Sequence, residues 1–107
     1  ADVILHRPGV AAHSTVFDWR GWAYSETTGH DPIPDAAVVV RPWVTTTNAI
    51  RATDEYMRTA TAILEGLAAA GVIDVNRRTA ALVIHAPVVT TNEGLAVEVL
   101  PVHRLVL

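Results

Sequence analysis

Residues 48–71 form the one stretch whose apolar side chains recur at helical spacing, and that limits what the rest of the chain can become. Met57, Ala60, Leu64 and Leu67 follow a 3-4-3 interval with Ile63 alongside, which places them on one stripe of an α-helix. Thr45-Thr46-Thr47-Asn48 offers caps for a start near 48, and Thr53, followed by Asp54 and Glu55, offers a second start near 53. Asp54 and Arg58 make an i,i+4 acid–base pair on the outer side, and Gly71 suits the position just past the last turn. The other apolar runs are short: Val3-Ile4-Leu5, Ala36 to Val40, Ala80 to Ala86 and Leu95 to Val102. Pro8-Gly9 and Pro87 end the first and third, and Pro42 weakens continuation of the second into Trp43-Val44. One helix among several strands predicts a single α+β domain over 1–107, a small mainly antiparallel or mixed sheet with the helix packed across one face. The expected core is Met57, Ala60, Ile63, Leu64, Leu67, Val38, Val40, Leu82, Ile84, Val97 and Val99.

So few elements have much to cover. Half of the 107 residues are apolar before the six Gly are added and 18% are charged, against roughly 45–50% with Gly counted and about 25% in ordinary domains. A chain of this length buries only about 60–65% of its extended surface. Surplus apolar surface is most simply covered by further copies, so a homo-oligomer or a contact with other assembly subunits is expected. The mostly apolar segment Val97 to Leu107 adds to that expectation, and Leu105 and Leu107 are assigned to the interface.

Four of the six aromatics lie between Val16 and Tyr24. A two-residue turn at Arg20-Gly21 would set Trp19 opposite Trp22 and Phe17 opposite Tyr24, with all four rings on one face of a β-hairpin. That face either covers the core or forms a subunit contact or ligand platform, so Phe17, Trp19, Trp22 and Tyr24 are candidate interface residues.

Chemistry-bearing motifs are sparse. There is no Cys, hence no disulfide framework and no thiolate chemistry. No apolar run is long enough for a membrane span, and the first residues lack the pattern of a signal peptide. All eight basic residues are Arg, the net charge is −3, and Arg77-Arg78 is the single adjacent basic pair, which gives duplex binding little support. The five His show no metal-type spacing, and neither Ser14 nor Ser25 sits in a nucleophile-elbow pattern. Among the acids, Asp54 and Glu65 share a helix face but stand about 16 Å apart along the axis, too far to hold one magnesium ion, whereas Asp74 is nearer Glu65.

Ala70-Gly71-Val72-Ile73-Asp74 after a long helix, followed by strands containing Ala86-Pro87-Val88 and Gly94-Leu95-Ala96-Val97-Glu98-Val99, resembles the second half of RusA-type Holliday-junction resolvases. Arg20-Gly21-Trp22-Ala23-Tyr24-Ser25 is similar to an early Gly-x-Ala-Tyr-Ser/Thr segment in that family. The resemblance covers roughly the last 55 residues and implies a dimeric, magnesium-dependent nuclease for branched DNA, often phage-borne. It would assign the catalytic role to Asp54, Glu55, Glu65 and Asp74, with Glu65 and Asp74 as magnesium ligands. The family opens its helix with Asp-x-Asp-Asn, where this chain has Thr53-Asp54-Glu55-Tyr56-Met57-Arg58, and its paired aspartates after the helix stand here as Asp74-Val75. A hairpin at 16–24 also leaves no room for the helix that precedes the family's buried strand.

Three functions follow as expectations. The first is a non-catalytic, self-assembling structural or interaction subunit without a cofactor, such as a small phage particle or assembly component, cytoplasmic in the producing cell or virion-associated. The alternative is a divergent RusA-like nuclease or binding protein for DNA junctions that uses magnesium. The third is a small-molecule binder built on the aromatic hairpin. None of the three calls for a membrane.

Overall fold

A computed structural model of the chain describes residues 2–8, 15–45, 49–73 and 80–106, and the side chains of all these except 49–55. The described elements run β1 (Val3–Pro8), α1 (Val16–Thr27), β2 (Ala36–Val44), α2 (Ala49–Ala69), β3 (Ala81–Ile84), β4 (Val88–Val89) and β5 (Gly94–Pro101), followed by a 3-10 turn at Val102–Arg104. The five strands form one mixed sheet in the order β1-β5-β2-β3, with β4 also on β2. β1 and β2 both run antiparallel to β5, while β3 and β4 are parallel to β2. The α+β class and the mixed sheet agree with the expectation, but two helices rather than one accompany the sheet.

β2 is the centre of the fold. Ala36 to Val40 are all buried, as a strand covered on both faces must be. Its even-numbered side chains Val38, Val40 and Val44 join Val3 and Leu5 of β1, Leu95, Val97 and Val99 of β5, and Trp19, Ala60, Ile63 and Leu67 of the helices in the main core. Its odd-numbered Ala37 and Val39 join Leu100 on the other face, where Val102 and Leu105 fold back over them. The strand continues through Pro42, contrary to the interruption expected there. The carbonyls of Ala36, Val40 and Val44 accept hydrogen bonds from Ala80, His85 and Thr90 at 2.8–2.9 Å, so even-numbered residues of β2 face β3 and β4. The N–H that Pro42 lacks would point at residues 85–87, between those two strands, where no ladder exists.

α2 begins at Ala49, the earlier of the two expected starts, and its cap candidates at 46–48 lie outside the described residues. It ends as expected on Gly71, with φ +79°. Gly71 N–H donates to Ala68 O at 3.1 Å and Val72 N–H to Leu67 O at 3.0 Å, the paired bonds of a Schellman motif, with Leu67 and Val72 both fully buried. The buried stripe is rotated from the expected one. Tyr56, Thr59, Ala60, Ala62, Ile63, Gly66 and Leu67 are buried, Leu64 is half-buried, and Met57 is 56% exposed. The cause is α1, which packs against the flank of α2 that a single-helix fold would leave wet. Leu82 is the other core residue that fails, 42% exposed on β3 at the end of the strand order, and Ile84 beside it is only half-buried.

α1 replaces the expected hairpin. Thr15 accepts from Asp18 N–H through its hydroxyl at 3.1 Å, and Asp18 accepts from Thr15 N–H at 3.0 Å, which is a complete capping box. Arg-Gly is a poor substitute for the Asn-Gly or Asp-Gly that a tight hairpin turn demands, so nothing local competes with the helix. The two helices touch at Gly66, where a Cβ would collide with the carbonyl of Arg20 and lie 2.8 Å from Ala23 Cβ. Gly21, on the outward side of α1, has nothing within 4 Å of its Cβ position.

These two glycines give opposite expectations for the same substitution. Gly66→Ala forces the helices apart and lowers unfolding stability by about 2 kcal/mol, overpacking outweighing the roughly 1 kcal/mol of helix propensity gained. Gly21→Ala gains the propensity alone and raises stability by up to about 1 kcal/mol. Urea unfolding of the two variants beside the parent chain reads both signs.

Candidate functional site

The surface most unlike an ordinary monomer's is the outer stripe of α1. The helix divides the four aromatics that the hairpin would have held together. Trp19, 2% exposed, is in the core, and Trp22 is half-buried with its ring 5.6 Å from that of Trp19, edge to face. Phe17 and Tyr24 lie outside, 70% and 47% exposed. They stand at i and i+7, about 10 Å apart along the axis, with Arg20 and Gly21 between them. Gly21 leaves bare backbone between two rings, and Val16, 53% exposed, extends the patch. Arg20 rests over Phe17, its guanidinium carbon 5.3 Å from the ring centre, and approaches Glu65 of α2 at 4.0 Å.

On the inner side, Arg7 of β1 stacks over Trp19 at 4.6 Å, so α1 lies above β1. Arg7 also adds to the field at Asp18. The Thr15 backbone N–H, and after it the Thr15 hydroxyl, hold the Asp18 carboxyl below its ordinary value, with Arg7 contributing in the same direction.

The remaining assigned residues are scattered. Leu105 is half-buried against its own sheet, beside Ala37, Val39 and Leu100, and Leu107 lies outside the described residues. Leu105 is thus docked in cis. Glu65 is exposed on α2 and faces Arg20. The side chains of Asp54 and Glu55 lie outside the described part, as does Asp74 entirely. The backbone of α2 is unbroken from Ala49 to Ala69, which keeps Asp54 and Glu65 three turns apart. Among the described residues no group of three His, Cys, Asp or Glu could hold a metal ion.

A cleft of about 200 Å³ lies among Asp2, His30, Asp31, Ile33, Pro101 and Arg104, and an Arg104–Asp2 ion pair of 3.0 Å crosses it. It is smaller than the roughly 300–1,000 Å³ of ordinary small-molecule sites. With the aromatic hairpin absent and Trp19 inside the core, the ligand-platform expectation loses its geometry.

The open face of the sheet carries Ile4, His6, Arg41, Trp43, Ala96 and Glu98. His6 and Trp43 meet edge to face at 5.7 Å, and Arg41 pairs with Glu98 at 3.3 Å. The two rings reach across β5 near Gly94, whose missing side chain leaves them room. The signal for the α1 stripe was present in the chain as Thr15-Val16-Phe17-Asp18, a Thr-x-x-Asp capping pattern. No helix is long and apolar enough to cross a membrane among the described residues. No family model, curated protein or solved structure matches the chain.

The capping box makes the stripe sensitive to acid. Asp18 has a lowered pKa in the folded state, so its contribution is present above the ordinary aspartate value and disappears as pH falls through the lowered one. Asp18→Asn therefore lowers the melting temperature at pH 7, and the gap to the parent closes at acid pH. Thr15→Ala, which removes the reciprocal half of the box, costs about 1 kcal/mol. Thermal melts from pH 7 down to pH 2 check both.

Proposed function

We propose that the chain is a non-catalytic, self-assembling structural or interaction subunit, with further copies of itself as its first partner and other assembly subunits as the second. The observation that carries this reading is the α1 stripe: Phe17 and Tyr24, 70% and 47% exposed, flanking an unfilled Gly21. Exposed rings beside a bare backbone notch have the makings of an interface anchor, because aromatic side chains dominate hot spots when a partner desolvates them. Arg20 and Glu65 rim the stripe with opposite charges, and a net charge of −3 does little to hold copies apart. A phage particle or assembly component, cytoplasmic in the producing cell or virion-associated, is the setting that the resemblance suggests for such a subunit. The reading needs no cofactor.

A second reading, a divergent RusA-like protein of branched DNA, is favoured by one observation. α1 supplies a helix before the buried strand β2, the element that a hairpin would have excluded. Under it, Glu65 and Asp74 would hold magnesium, while the unbroken α2 backbone keeps Asp54 and Glu55 about three turns from Glu65. Metal-dependent cleavage of four-way DNA junctions that Asp74→Asn abolishes would support it; no cleavage by the parent chain would remove it.

Light scattering across a dilution series tests the first reading. The parent chain is expected to exceed monomer mass at high concentration. Phe17→Gln with Tyr24→Gln, both on exposed positions, should weaken association by a factor on the order of 10 to 100. A parent chain that stays monomeric throughout sinks the proposal.

A further inference from the structure

We propose that the edge of β1 that no described strand pairs is a homodimer seam, pairing antiparallel with β1 of a second copy so that one sheet runs through both. This deepens the self-assembly reading and rests on it.

The hydrogen-bond directions follow from parity. Even-numbered residues of β2 bond toward β3 and β4, so its odd-numbered residues bond toward β5, as Asp35 does in accepting from Val102 N–H at 2.9 Å. The register Val39↔Glu98 then turns the even-numbered residues of β5 toward β2, and Leu95, Val97 and Val99 toward β1. Through Val3↔Val99, Leu5↔Val97 and Arg7↔Leu95, the odd-numbered residues of β1 bond inward. The N–H and C=O groups of Ile4 and His6 therefore point away from the sheet, and no strand pairs with them among the described residues.

That edge complements itself. A twofold axis perpendicular to the sheet through Leu5 sets Ile4 opposite His6 of the second copy, and His6 opposite its Ile4. Each pair exchanges two backbone hydrogen bonds, and the helices of both copies stay on one side. The strand overlaps along its whole length, and Pro8, which has no N–H to give, meets Asp2 at the outer end. On the open face Glu98, beside Ile4, is paired with Arg41, and Asp2, just before the strand, with Arg104. Ile4 is 71% exposed there, and Arg7, the one charged side chain of β1, is turned inward onto Trp19. The exposed Ile4 has no charged neighbour within β1 on that face, and the strand's edge-protecting features, Pro8 and the inward-turned Arg7, stand together at one end.

The chain has no cysteine, so engineered thiols report the register cleanly. In the proposed seam the Cα atoms of Ile4 and of His6 in the second copy are about 5.5 Å apart, within disulfide reach. Ile4 and its own counterpart are about 8 Å apart, beyond it. Mixing Ile4→Cys chains with His6→Cys chains under mild oxidation should give a covalent heterodimer. Either variant alone should cross-link no more than a Thr61→Cys control on the exposed side of α2. Ile4→Lys, at a solvent-exposed position, should shift the dimer midpoint at least tenfold while leaving circular dichroism unchanged. Oligomers by light scattering without a mixed cross-link, or cross-linking equal in the single variants, overturn the seam and leave self-assembly standing. A parent chain that is monomeric at every concentration overturns both.

Discussion

The fold depends on burying β2 from both sides. Ala36 to Val40 carry no polar side chain, so neither face of that segment can meet water without cost. The sheet supplies hydrogen-bonding neighbours on both edges, β5 on one and β3 with β4 on the other. Helices cover Val38 and Val40. Their counterparts Ala37 and Val39 are covered by Leu100 and by the turn that brings Val102 and Leu105 back across the sheet. Of the apolar segment from Val97, residues Val97, Val99 and Leu100 are buried within the chain and Val102 and Leu105 half-buried, while Val106 is 90% exposed, so the case for a partner shifts away from most of it.

It shifts toward α1. Gly66 lets the backbone of α1 come so close to α2 that Trp19 and Ala23 reach the core, 2% and 0% exposed. The rest of α1 stays largely exposed, with Trp19, Ala23 and Thr27 its buried residues, and Phe17 and Tyr24 lie on that exposed side. The same contact turns α2, giving burial to Thr59, Ala62 and Gly66 and exposure to Met57. One close approach thus sets both the composition of the core and the position of the exposed rings.

Local pattern revealed those elements that neighbours do not redirect. The α2 segment and its Gly71 stop, the buried β2 run and β5 were legible because periodicity, capping and Pro placement all agree there. The 16–24 segment was not, because Phe17, Trp19, Trp22 and Tyr24 can be drawn both as period-two pairs and as two opposite sides of a helix. What decides between them is three residues upstream of Asp18: a threonine able to complete a capping box. The exposure of Met57 and Leu82 was illegible for a different reason. It depends on where a second helix lies and where the sheet ends, and both are tertiary facts. Of the candidate interface residues, Phe17 and Tyr24 keep their exposure although the element presenting them differs, while Trp19 is lost to the core. The acids assigned by resemblance share no visible site, since the α2 backbone separates Asp54 from Glu65 and Asp74 lies beyond the described residues.

The two sheet edges differ in a way that bears on the size of any assembly. On the β3/β4 side the ladder breaks at residues 85–87, which include Pro87, and β4 is only two residues long. Such an edge is a poor template, since a docking strand would find no continuous row of partners. At β1 the outward groups of Ile4 and His6 are in line and complement themselves. An isologous contact at that edge uses the same patch on both copies and so closes after one addition. In the proposed seam, edge pairing ends at a dimer with its two interrupted edges outermost. Growth beyond two copies must then come from side-chain surfaces, and the α1 stripe, with Phe17 and Tyr24 exposed, is one such surface.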